Sequence, residues 1–210
     1  MYRSVSRNYP RCCDFWWYCG LGWVLVSLAG SMFHFTYQWA QCHWAVGFLV
    51  AVNESVFEHL KILVFPLLLF WFADYLLFGH AVSHLISATF AIYSGVAFLF
   101  LIHVLVSVLG GYEGLVFDIV LFIVSAFVAQ LAGYWSLYMH FRKLWVLVIV
   151  LCFVVAVICH VAFTVCPPHI PVLFEDARGF YGMPELCYGL DFPSFKNTTP
   201  AHANVFFLKC

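Results

Sequence analysis

Charge is scarce in this chain: Lys, Arg, Asp and Glu make up 9% of its 210 residues, and the formal net charge is -1. That scarcity removes the basic footprint a nucleic-acid partner would need, and the class is set aside. Internal repeats and low-complexity tracts are also missing, which weighs against the duplicated halves from which many small carriers are built. The nine cysteines are an odd number and lack the paired spacing of a thiolate zinc site or a disulfide framework.

What remains is apolar surface. The chain is 65% hydrophobic and 20% aromatic with a mean hydropathy of +0.96, against about 45–50% apolar residues in ordinary soluble domains. Such a composition specifies an all-α integral membrane bundle. Apolar runs long enough to cross a bilayer as helix fall at about 18–35, 60–78, 85–108, 115–137 and 144–165. The run at 44–52 is too short to cross and reads as a re-entrant or interfacial segment. Pro66 removes one backbone donor inside the second span and predicts a kink at 62–66.

Five crossings put Arg3, Arg7, Arg11 and the Arg142-Lys143 pair on one side, which the positive-inside bias makes cytoplasmic. The chain then divides into a cytoplasmic basic and aromatic segment (1–17), a membrane bundle (18–182) and a C-terminal extension (183–210). The C-terminus falls outside or in a lumen, where Asn197-Thr198-Thr199 has the form of a glycosylation acceptor. Cys42, Cys166, Cys187 and Cys210 share that side, and one disulfide among them is expected. The bilayer is the expected partner, with room for a second copy or another membrane protein.

Against this background one block stands out, Asn53-Glu54-Ser55-Val56-Phe57-Glu58-His59-Leu60-Lys61. Read as helix throughout, it places Glu54, Glu58 and Lys61 at i, i+4 and i+7 on one face, with His59 about a hundred degrees round. Two carboxylates, an amine and an imidazole together can hold a metal ion or move a proton. The plainer reading is a capping box, Ser55-x-x-Glu58, in which Glu58 answers the Ser55 backbone N–H. Other polar groups fall at the same predicted depth: His34, His103, Asp118, His160, His169 and Asp176. An ion at mid-bilayer costs on the order of 2.5–3.5 kcal/mol, so such groups must find partners, water or a metal. His34, Glu54, Glu58, His59 and His169 are the candidate ligands for zinc or another divalent ion. Glu54, Glu58, Lys61 and Asp176 are the candidate catalytic groups. His80 and His84, at i and i+4, read as a solvated pair in the short second loop, on the other side. Pro167-Pro168-His169-Ile170-Pro171 is extended and able to fold back over the mouth of the bundle.

Three blocks together carry a resemblance. Gly30-Ser31-Met32-Phe33-His34-Phe35-Thr36-Tyr37-Gln38-Trp39, then the block at 53–61, then Pro167-Pro168-His169-Ile170-Pro171 with Phe174, Asp176, Gly179 and Tyr181-Gly182 are similar to a mostly bacterial family of small multi-pass membrane proteins (DUF6512-like), known only as a domain of unknown function. The resemblance implies a shared bundle and a shared polar site of His34, Asn53, Glu54, Glu58, His59, Lys61, His169 and Asp176. It implies no activity. Three functions stay open: a structural or assembly role, a metal-dependent hydrolase acting on a lipid-like substrate, and a small proton-coupled carrier.

Overall fold

The computed structural model describes residues 11–78, 81–110, 114–139, 141–175, 179 and 181–183. Asp176, His80, Asn197 and the C-terminal extension beyond Met183 lie outside the described residues. The elements run in order α1 (Arg11–Phe15), a π-helical segment (Trp16–Gly22), α2 (Trp23–Trp39), α3 (Trp44–Gly47), α4 (Val56–Phe78), α5 (Ala81–Gly110), α6 (Leu115–Ser136), α7 (Lys143–Val165) and α8 (Pro171–Phe174). Among the described residues, five helical stretches are long and apolar enough to cross a membrane: Cys13–Trp39, Val56–Phe78, Val82–Val106, Val116–Ser136 and Lys143–Val165. The protein is an all-α integral membrane bundle. The 44–52 segment is one short helical turn followed by irregular backbone, with Val50 and Ala51 buried.

The helix α4 is the hub, because it carries Glu58, Lys61 and Asp74, which must be kept out of lipid and are all buried. Thirteen of its residues are buried, from Phe57 to Asp74, and it packs on α2 and α5. At the rim, α7 keeps an almost wholly apolar surface, and Leu144, Leu147, Leu151, Val155 and Ile158 are exposed as lipid-facing residues should be.

With no hydrophobic drive between helices in lipid, close approach through small residues has to supply the contact. Pro66 sits inside α4 and leaves the Ile62 carbonyl without its i+4 donor. Gly30 of α2 lies against that carbonyl, so closely that a Cβ there would stand 2.5 Å from Ile62 O and would run into the Phe122 ring. The proline and the glycine are therefore one packing feature shared by two helices.

The first span turns into its loop without glycine: Gln41 and Cys42 both take positive φ, 55° and 56°. The Cys42 N–H bonds back to Tyr37 O at 2.9 Å, a left-handed C-terminal cap. It carries backbone strain but turns the 43–55 segment back over the end of the bundle. The tail does the same from the other side. After α8, an isolated bridge pairs Glu175 with Tyr181, and the Met183 N–H bonds to Thr164 O at 3.0 Å.

Gly30→Ala should displace α2 from α4 and lower stability by about 1–3 kcal/mol. Thermal unfolding in detergent micelles measures this; an unchanged melting temperature would contradict the packing.

Candidate polar site

The block at 53–61 does not form one helical face, because α4 begins at Val56. Asn53 starts the departure: its Oδ1 accepts from the Ser55 N–H at 2.9 Å, while its Nδ2 donates to Gly182 O at 3.0 Å. Ser55 Oγ accepts from the Glu58 N–H at 3.4 Å, one half of a capping box. The reciprocal half is not made, because the Ser55 N–H donates to Asn53 instead; the Glu58 carboxylate turns away, its Oε2 engaged and its Oε1 without a hydrogen-bond partner among the described residues. Glu54 is thus held in the loop ahead of the helix, and the acids point to two different places.

The first place is a sealed ion pair. Lys61 Nζ donates to Glu58 Oε2 at 2.8 Å, to Gly47 O at 2.7 Å and to Thr164 Oγ1 at 2.9 Å. These three bonds use all three ammonium protons. Glu58 Oε2 also accepts from the Val52 N–H at 3.0 Å, and Thr164 passes its own proton to His160 O at 2.8 Å. Glu58 and Lys61 are 1% and 0% exposed. The pair joins α4, α7 and the 43–55 loop, which is what fixes the end of the bundle. Met183 of the tail packs over Gly47 from outside.

The second place is open. His34 Nε2 lies 3.9 Å from Glu54 Oε1, and His59 Nε2 lies 3.5 Å from Glu54 Oε2. One ligand atom from each residue falls within 4.8 Å of the other two. The ring centroids of His34 and His59 are 5.4 Å apart. His59 Nδ1 faces Ser55 O at 3.0 Å; in the tautomer that donates there, Nε2 presents a bare lone pair toward the carboxylate. A lone pair and a carboxylate repel unless a proton or a cation stands between them. Ligand atoms on a tetrahedral ion with bonds of about 2.1 Å lie about 3.4 Å apart, so a small contraction brings the set onto one ion. A backbone carbonyl orienting the far nitrogen is the usual support for such a histidine.

Other candidates lie apart from these two places. His169 is exposed and packs its ring edge on Tyr181 at 5.0 Å. His103 faces Asp118 at 3.6 Å across α5 and α6. His160 is buried, with Nδ1 at 2.7 Å from Ala156 O and its ring stacked on Phe57 at 5.3 Å.

At the other end of α4 lies a cluster the sequence reading missed. Asp74 accepts from Trp17 Nε1 at 2.9 Å and Tyr18 Oη at 2.8 Å, and His84 Nε2 meets it at 2.6 Å. Asp74, Tyr18 and His84 are all buried, so the expectation of a solvated His84 is corrected. The reason is that α5 starts at Ala81, which puts His84 in its first turn beside the end of α4. The wider π-helical turn lets the adjacent residues Trp17 and Tyr18 reach one carboxylate. Beside it Tyr138 donates to Asp14 Oδ2 at 2.8 Å. Burial first, and the Asp14 carboxylate second, hold the Tyr138 hydroxyl above the usual phenol range. The signal was available: Asp74 is an acid inside an apolar run. Thr164 had no such signal, since only the fold brings it to Lys61.

Fold and site together define an integral membrane helical bundle with a sealed ion pair and an open His/Glu cluster at one end. The chain belongs to the Family of unknown function (DUF6512), whose model matches residues 7–183. Comparison with curated proteins and with solved structures finds no match.

Lys61→Met should leave the Glu58 carboxylate buried and uncompensated, at a cost of about 3–5 kcal/mol. Glu58→Gln combined with Lys61→Met should recover much of that loss, as denaturation of the purified variants would show. Equal losses in single and double variants would contradict the pairing.

Proposed function

We propose that this protein is a membrane-embedded metalloprotein that holds one divalent ion, zinc or a close relative, on His34, Glu54 and His59 at the non-cytoplasmic end of the bundle. The observation that supports it most is the meeting of three ligand atoms within 4.8 Å from two helices and a loop. Two imidazoles and one carboxylate are the donor set of catalytic zinc sites, which keep at least one position for water or substrate. An ion held by these three residues would supply Lewis-acid chemistry that makes water nucleophilic near neutral pH, and hydrolysis is the reaction class this would suit. Glu58 and Lys61 act in this reading as the structural lock that holds the 43–55 loop, and through it Glu54, in place. A carrier that uses Glu58 and Lys61 as coupling groups finds less support, because Lys61 already donates all its protons within the protein.

Charge and redox state both support this side. Arg142 and Lys143 stand at the start of α7, at the end away from the His/Glu cluster, as the positive-inside bias requires of a cytoplasmic end. Cys42, at the cluster end, is disulfide-bonded, which suits an oxidising compartment.

Elemental analysis of the protein purified in detergent should find about one zinc per chain. His34→Ala, Glu54→Gln and His59→Ala should each weaken zinc binding at least about 10–100-fold, the loss that even a supporting residue causes. Glu58→Gln should lower stability and spare occupancy. A wild-type protein that binds zinc no better than the triple variant would refute the reading.

For the side, a cysteine introduced at the exposed Trp44 should react with a membrane-impermeant thiol reagent in intact cells. Reaction only after permeabilisation would reverse the orientation.

A further inference from the structure

Depth and charge at the His34, Glu54 and His59 cluster together identify what fills the rest of an ion's coordination shell there. His34 lies five residues before Trp39, the last residue of α2, so it sits about 7 Å deeper along the helix. His59 lies in the first turn of α4. Trp39 and Trp44 are exposed, as are Phe35 and Leu49; indoles in this position sit at the headgroup level of a bilayer. The cluster therefore lies just beneath the headgroup level. It is also open, with the Glu54 and His59 side chains 38% and 30% exposed.

The charge balance is incomplete. A divalent ion on two neutral imidazoles and one carboxylate carries a net charge of +1, and the neighbouring carboxylate in sequence, Glu58, is already neutralised by Lys61. An uncompensated charge at this depth is costly, so the remaining ligand should be an anion available at headgroup depth. The phosphodiester of a phospholipid is that anion, present at high local concentration and carrying a single negative charge.

We propose that a phosphate oxygen of a membrane phospholipid occupies an open coordination position of the ion held by His34, Glu54 and His59. The proposal rests on the metal reading above and names the ligand class of the same site. It makes the protein a receptor for the headgroup region.

The test uses the full chain loaded with Mn2+, whose unpaired electrons report neighbouring nuclei by electron-nuclear double resonance. In nanodiscs of phosphatidylcholine, in buffer free of phosphate, the bound ion should show 14N coupling from imidazole and 31P coupling together. The same protein in maltoside micelles without phosphate should keep the 14N coupling and lose the 31P coupling. His34→Ala with His59→Ala in nanodiscs should lose both, which separates this site from ions bound to lipid alone. Nitrogen coupling without phosphorus in nanodiscs overturns the proposal and leaves the metal site standing. Phosphorus coupling that appears only when inorganic phosphate is added to micelles assigns the position to free phosphate and overturns the lipid source. No nitrogen-coupled manganese under any condition, together with no zinc in the purified wild-type protein, overturns the metal reading and the proposal with it.

Discussion

A lysine ammonium and a glutamate carboxylate, both withdrawn from water, set the terms for one whole end of this bundle. Neither charge is tolerable alone in an apolar protein inside a bilayer, and their mutual attraction offsets the desolvation cost only when the remaining protons and lone pairs are also used. Lys61 meets that condition in full, by binding a side chain on its own helix, a carbonyl of the preceding loop and a hydroxyl of the last span, whereas Glu58 meets it at Oε2 through the Val52 N–H and leaves Oε1 without a hydrogen-bond partner among the described residues. The lock therefore dictates where the 43–55 loop must lie. Glu54 inherits its position from that loop, and the open cluster with His34 and His59 exists because the lock is closed.

A second buried acid balances the first. Asp74 stands thirteen residues after Lys61 on α4, about 20 Å along the helix, and gathers Trp17, Tyr18 and His84. The two clusters pin α4 at both ends to different neighbours, the first span and α5 at one end, α7 and the loop at the other. Between them the packing is by shape. Gly30 against the carbonyl freed by Pro66 is the clearest contact of that kind, and it explains how a proline is accommodated in the most deeply buried helix.

The spans were legible in the sequence because composition alone forces them, and the bounds of the last two follow the apolar runs, whereas the first three helices begin several residues ahead of theirs. The grouping of His34 with the 53–61 block was also within reach, since ionisable groups at one depth in lipid must find partners. What could not be read was how the block divides. The assumption of helix from Glu54 onward put Glu54 and Glu58 on one face, whereas the Asn53 side chain turns the backbone at Ser55 and starts the helix two residues later. His84 was misplaced for a similar reason: α5 extends further toward its N-terminus than the apolar run does, so a residue counted as loop became a buried partner of Asp74. Tertiary neighbours such as Thr164 and Gly47 O leave no trace in local pattern.

A closed structural pair and an open His/Glu cluster draw on the same nine residues, 53–61, and are kept apart, His34 completing the cluster from α2. X-ray absorption at the zinc edge of the purified, zinc-loaded protein addresses that separation most directly, because the ligand shell is read without reference to activity. Two imidazole nitrogens with oxygen donors at about 2.0–2.2 Å are predicted, unchanged in Glu58→Gln and degraded in His59→Ala. A shell containing sulfur at about 2.3 Å, or one that loses an oxygen when Glu58 alone is changed, would contradict it.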